Sequence, residues 1–148
     1  MRLHPPLAAI LLAACLPLSA AWADTSVLPL PDPPLANDPP LTADEFDAMT
    51  LGKTMDTHSS GGSYGVEKFL PGKRSIWEDA RGCMYGTWEQ VGNQICFTYE
   101  DDPANPDCWT YHARGDALKA WYFGDRSNEP IMLYPSDLPM TCNEYLGT

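Results

Sequence analysis

The side chains of this chain that could do chemistry are few, and their spacing narrows what they could do. Glu67 and Glu78 fall on neighbouring candidate strands joined by Pro71-Gly72-Lys73. Two carboxylates facing one substrate are what glycoside hydrolysis needs, one as acid and one as base or nucleophile. The competing reading is surface charge paired with Lys68, Lys73 or Arg74. Beyond His4, the histidines are His58 and His112. With oxidised cysteines there would be no thiolates to join them, so neither a metal nor another cofactor is expected. "EDDPANPD", Glu100 to Asp107, offers many oxygens but lacks the spacing and glycine of a calcium loop, and reads as a solvated acidic turn. No nucleophile elbow, H-E-x-x-H or P-loop occurs. "SGGSYG", Ser60 to Gly65, has no helix after it to hold a phosphate. "RGD", Arg114 to Asp116, is good hairpin chemistry before it is anything else.

Cysteine usage points to an oxidising compartment. Of the 5 cysteines, Cys15 lies in an apolar leader; Cys83, Cys96, Cys108 and Cys142 follow it. An even set in an exported chain reads as two disulfides. The Gly92-Asn93 turn places Cys96 opposite Glu89 and leaves Cys83 about six residues along the strand, roughly 20 Å away. That argues against Cys83–Cys96. Cys108 is expected opposite Tyr99 or Glu100. The favoured pairing is therefore Cys83–Cys108 with Cys96–Cys142, the second formed by a C-terminal tail crossing an outward-facing Cys96.

The elements that must position these residues follow from patterning. Arg2, the apolar stretch Leu7 to Leu18 and the small residues Ala21 and Ala23 form a signal peptide with expected cleavage after Ala23. "LAAC", ending at Cys15, also fits a lipoprotein box, which would make Cys15 a lipid anchor and the protein membrane-anchored. Residues 24–41 are rich in proline and read as an extended or disordered arm. The single folded domain is expected over 42–148. "TADE" from Thr42 is a capping box, with Leu41 and Phe46 placed as a hydrophobic staple, so a short helix should run from Ala43 to about Thr50.

Beyond Gly52, short alternating runs sit between turn signals such as "SSGG", "PGK", "GN" and "GD". The runs are 53–58, 63–69, 74–78, 85–91, 94–100, 108–114, 117–123 and 131–134. About eight short strands in sequence would expose two edges as an open meander, and a small antiparallel β-barrel removes both. A two-sheet sandwich is the second choice. Alternation puts Trp88, Ile95, Phe97, Tyr99, Trp109, Tyr111, Leu118, Ala120 and Tyr122 on one side, an aromatic interior. Glu89, Thr98, Thr110 and Lys119 then face outward. Trp121 and Phe123 break the pattern, which calls for a strand covered on both faces or a different register.

At these residues a resemblance emerges. "YGVEKFLPGKRSIW", "GTW", "ICFTYE" and "CWTY" resemble a family of small uncharacterised exported bacterial proteins sharing a Y-G-x-E…W…C-x-x-G-x-W…I-C-F-x-Y…C-W series, over about Thr42 to Tyr111. The resemblance implies no activity. By analogy it implies a lipocalin- or avidin-like barrel, because Gly86-x-Trp88 is similar to the G-x-W of those folds. In lipocalins that motif lies on the first strand; here it falls on about the fourth.

Charge completes the reading. The net charge of −11 argues against nucleic acid and anionic membrane surfaces as partners. The mature chain has no expected transmembrane segment. Three functions are compatible with these features. The first is a periplasmic or secreted, non-catalytic binding or envelope-associated protein taking a small apolar ligand. The second is an inhibitor of a basic lysozyme-like enzyme, for which "HSSGGSYG" and the acidic loop would be the contact. The third is a small hydrolase built on the carboxylate pair. The candidate ligand- or partner-binding residues are Tyr64, Trp88, Trp109, Tyr111, Asp101, Asp102 and Asp107.

Overall fold

Turn chemistry at successive strand ends decides how this chain folds back on itself. Gly92, at φ 62°, reverses the chain between Val91 and Gln94, which lie opposite each other. Similar reversals recur along the chain. The computed structural model describes residues 31–143; the leader, Ala23 and Cys15 lie outside the described residues. Helix α1 (Ala43–Thr50) precedes β1 (Thr54–Ser59), β2 (Gly62–Leu70), β3 (Arg74–Asp79) and β4 (Gly82–Val91). Then come β5 (Gln94–Tyr99), β6 (Asp107–Arg114), β7 (Ala117–Tyr122) and β8 (Ile131–Ser136). Each strand pairs antiparallel with the next, and β8 returns to β1, so the sheet closes into a barrel. Closure leaves no edge strand to recruit another chain.

One end of the barrel is plugged. Thr42 and Glu45 form the expected capping box, with the Thr42 amide donating to Glu45 Oε2 at 2.8 Å and the Glu45 amide to Thr42 Oγ1 at 3.4 Å. The helix so started carries Phe46, fully buried, into the barrel end. Its ring meets those of Phe69, Trp88, Phe97 and Tyr111 at centroid distances from 4.6 to 6.3 Å. Leu41 packs against the same core. Burying such a ring contributes about 2–3 kcal/mol before packing terms.

The outer wall of β6 and β7 is covered too, by residues that proline content alone assigned to a disordered arm. The compact unit begins at Pro33. Asp38, 8% exposed, accepts from Arg114 Nη1 and Nη2 at 2.8 and 2.7 Å and from Arg126 Nη2 at 2.6 Å. Its backbone carbonyl accepts from His112 Nδ1 at 2.9 Å. The Leu41 amide donates to the Tyr111 carbonyl at 2.7 Å. The Arg126 guanidinium also stacks 4.4 Å from the Trp121 ring. This cover buries His112, Thr110 and Trp121 on the outward face. Trp121 thus breaks the alternation because its strand is covered on both sides. Phe123 lies past the end of β7 at φ 49° and is exposed.

Two disulfides are present, and their pairing corrects the expectation. Cys96 joins Cys108 at a Cα separation of 4.0 Å, and Cys83 joins Cys142 at 5.7 Å. Cys83–Cys108 and Cys96–Cys142 are not formed. The physical reason is loop length. The chain between Tyr99 and Asp107 is a wide proline-containing loop, so β6 pairs further back along β5, with Phe97 opposite Asp107 and Cys96 opposite Cys108. A C-terminal segment does cross the barrel wall, but over Cys83. Cys83 sits opposite Glu78, whose carboxylate accepts from the Thr141 amide at 2.8 Å and bonds the Thr141 hydroxyl. Tyr85 holds the same segment by donating to the Asn143 carbonyl at 3.0 Å.

Candidate functional site: the open mouth of the barrel

The end opposite α1 is hollow, and two glycines make room for it. On β2, a Cβ at Gly65 would lie 2.2 Å from Trp77 Cζ2. On β4, a Cβ at Gly86 would lie 2.8 Å from Tyr99 Cδ1 and 2.7 Å from the Thr98 carbonyl. Only glycine lets these rings lie against the neighbouring strand, and so line a cavity rather than fill it. A bulge between β1 and β2 adds a third ring. Thr57 pairs with Gly65 and His58 with Ser63, which leaves Tyr64 as the extra residue. Tyr64 stands at the rim, 44% exposed, 5.7 Å from Trp77.

The resulting cavity has a volume of about 710 Å³. Its inner part is formed by Thr57, Glu67, Phe97, Tyr111 and Leu133, all buried. Trp77, Tyr99, Trp109 and Ile131 form the walls, and the Asp101–Asp107 loop, Tyr122 and Phe123 lie toward the opening.

Glu67 is the unusual group in this space. It is 4% exposed, between Met55 of β1 and Trp77 of β3. The Tyr99 hydroxyl donates to its Oε1 at 2.7 Å. No basic side chain is among the groups acting on it, and burial pushes its carboxyl up to about 7 against the lowering effect of the Tyr99 and Ser75 hydroxyls. Its charge and burial in turn hold Tyr99 well above the ordinary phenol range, burial being the larger cause. Burial raises Asp107 as well. Asp79 is the contrast within the mouth. Hydrogen bonds from Arg81 lower its carboxyl to about 2, and Trp77 Nε1 donates to its Oδ2 at 2.9 Å, fixing the indole. Thr57 contributes a buried hydroxyl with no hydrogen-bond partner among the described residues. It is one of five such buried side-chain polar atoms among the described residues, Trp88 Nε1 at the plugged end being another.

The chain was compared with protein-family models, curated proteins and solved structures. None matches. The site must therefore be read from its own geometry.

Six of the residues singled out from the sequence meet in this cavity: Tyr64, Trp109, Tyr111, Asp101, Asp102 and Asp107. Trp88 does not. It is 3% exposed at the plugged end, against Phe46 and with the Lys73 ammonium 5.3 Å from its ring. Glu67 and Glu78 are not brought together either. Glu67 is opposite Trp77, so Glu78, one residue on, points to the other face and is engaged with Thr141. His58 bonds Asp56 at 2.9 Å, and among the described residues there is no group of three or more His, Cys, Asp or Glu fit to hold a metal. Arg114 of the "RGD" tripeptide is bound to Asp38.

Sequence reasoning placed Tyr99 on the interior face without naming it a binding residue, missed Trp77 and Thr57, and weighed Glu67 only as half of a catalytic pair. A signal was available. Gly65, Glu67 and Phe69 share one face of a strand, and a carboxylate on a face otherwise apolar is a marked residue.

Proposed function

We propose that this protein is an exported, non-catalytic binding module whose ligand enters the open end of the barrel. The observation that carries this reading is a cavity of about 710 Å³ containing a buried carboxyl without a basic partner and a buried hydroxyl without a hydrogen-bond partner among the described residues. Small-molecule sites have this composition: mostly apolar and aromatic walls with a few placed polar groups. A filled interior would have argued for a purely structural barrel, since eight strands leave just enough room for side chains. Two disulfides fit an extracellular or periplasmic protein. No helix among the described residues is long and apolar enough to cross a membrane. Export through a cleaved leader is part of this proposal, with a lipid-anchored form on Cys15 as its alternative. Intact mass of the exported protein separates the two.

The test of binding is titration with a neutral apolar fluorophore, N-phenyl-1-naphthylamine. Saturable fluorescence enhancement is expected, and it should be lost when Thr57→Trp fills the cavity, provided circular dichroism shows the variant folded. Unsaturable or absent enhancement would count against the reading.

A second reading keeps one specific support. Asp101 and Asp102 are exposed at the opening with Tyr64, and the strand order puts the Ser60–Gly61 turn at the same barrel end. That surface suits a basic protein, as an inhibitor of a lysozyme-like enzyme would require. A lysozyme inhibition assay tests it directly.

A further inference from the structure

The chemistry lining the mouth goes beyond a preference for apolar ligands. Glu67 lies where a ligand would end, and the titratable groups facing it carry no positive charge. They are Tyr64 on its own strand, Tyr99 on β5, and Asp107 and Tyr111 on β6. Among the described residues that line the cavity, Arg81 is the one base. It is committed to Asp79, with its Nη2 at 2.7 Å and its Nε at 3.0 Å from Asp79 Oδ2. The approach past Asp101, Asp102 and Asp107 is therefore acidic.

We infer that the ligand is a small organic cation, a protonated amine on an apolar or aromatic body, with Glu67 as its counter-ion and Thr57 accepting from one of its N–H groups. This rests on the binding reading above and specifies what is bound. Each part of the site suits such a molecule. The faces of Trp77, Tyr99 and Tyr111 carry negative quadrupole density that attracts a cation. A carboxylate paired with an ammonium away from water forms a short, charge-assisted hydrogen bond, stronger than a neutral one. The Thr57 hydroxyl, buried and unsatisfied, has the lone pairs an N–H needs. An anionic ligand would meet Glu67 and the acidic rim with no free base to balance it. A neutral ligand would leave the buried carboxyl uncompensated whenever it ionised. A cation removes that penalty, so its binding should draw Glu67 into the ionised form and release a proton when the free protein holds one there.

The experiment uses three soluble probes of similar size: phenethylamine, phenethyl alcohol and 3-phenylpropionate. Each competes with N-phenyl-1-naphthylamine on the intact protein at pH 8, where Glu67 is mostly ionised. The amine is expected to compete at least tenfold better than the alcohol and better still than the carboxylate. In Glu67→Gln, which keeps an acceptor for Tyr99, that preference should collapse, with each probe's competition read against naphthylamine titrated on the same variant. Calorimetry of the amine near pH 6 in buffers of different ionisation heat should report proton release, absent in Glu67→Gln. Equal competition by all three probes, or a preference for the carboxylate, would overturn the cation and leave the binding site standing. Should the naphthylamine itself not bind, calorimetry with phenethylamine alone decides. Heat that vanishes in Glu67→Gln supports the inference, and no heat removes both it and the binding reading.

Discussion

Two carboxylates of this barrel expose little surface, Asp38 8% and Glu67 4%, but Asp38 lies in a shallow outer layer and Glu67 deep inside the barrel. They behave in opposite ways. On the outer wall, hydrogen bonds from Arg114, then Arg126, hold Asp38 at about 2 although burial works against them. In the mouth, burial prevails and Glu67 rises to about 7. Low exposure alone thus says little about what a carboxylate is for; depth and charge partners decide. A carboxylate met by two guanidinium groups fastens one segment to another. One met only by hydroxyls is a cost to the fold. The tryptophans repeat the contrast: Trp88 is enclosed by the plug at one end, and Trp77 lines the cavity at the other.

If the two ends differ as described, the largest stability effect belongs to the plugged one. Trp88→Ala should lower unfolding free energy by about 3–5 kcal/mol in urea titrations. A loss under about 1 kcal/mol would erase the distinction. Next comes the fastening carboxylate. Asp38→Ala leaves two arginines facing an emptied site and should cost about 3 kcal/mol at pH 7. In the parent, the Asp38 contribution is present above the unfolded-state value of 3.8 and should fade as pH falls toward 2.

Glu67 should respond with the reverse sign. Its unfolded form ionises near 4.5, before the folded form does, so stability should decline as pH rises from 4.5 to about 7 and then level off. Glu67→Gln removes that decline and should stabilise the protein by about 1–3 kcal/mol at pH 8, with little change at pH 4. Chemical denaturation at the two pH values checks this, and a destabilised Gln variant at pH 8 would mean the carboxylate has an anchoring role after all. The smallest structural effect is expected for Trp77→Ala, about 1 kcal/mol or less at a wall facing a cavity, with at least a fivefold loss of naphthylamine affinity. Equal losses of stability at Trp77 and Trp88 would indicate that the mouth is as tightly packed as the plug.

Much of the architecture could be read from local chemistry. The capping box starts α1 at Ala43, and turn signals bracket the strands closely, because helix caps and tight turns are decided by neighbours in sequence. What failed depended on distances along the chain. The disulfide partners turned on how many residues the loop between Tyr99 and Asp107 takes up, and strand periodicity carries no such information. Outward burial of Trp121 required Asp38 and Arg126, whose meeting has no local signature. The mouth was legible as a set of candidate loops and aromatics on one end. Its central group was not, because the significance of Glu67 lies in which charges fail to reach it.

Carbon-13 carboxyl NMR across pH 1.5 to 9, with Asp38 and Glu67 assigned, tests the account most directly because one titration series reads both groups. Asp38 should titrate near 2 and Glu67 near 7, with Glu67 falling when phenethylamine is added. A Glu67 that titrates near 4.5, unmoved by the amine, would contradict it and make the mouth an ordinary wet surface.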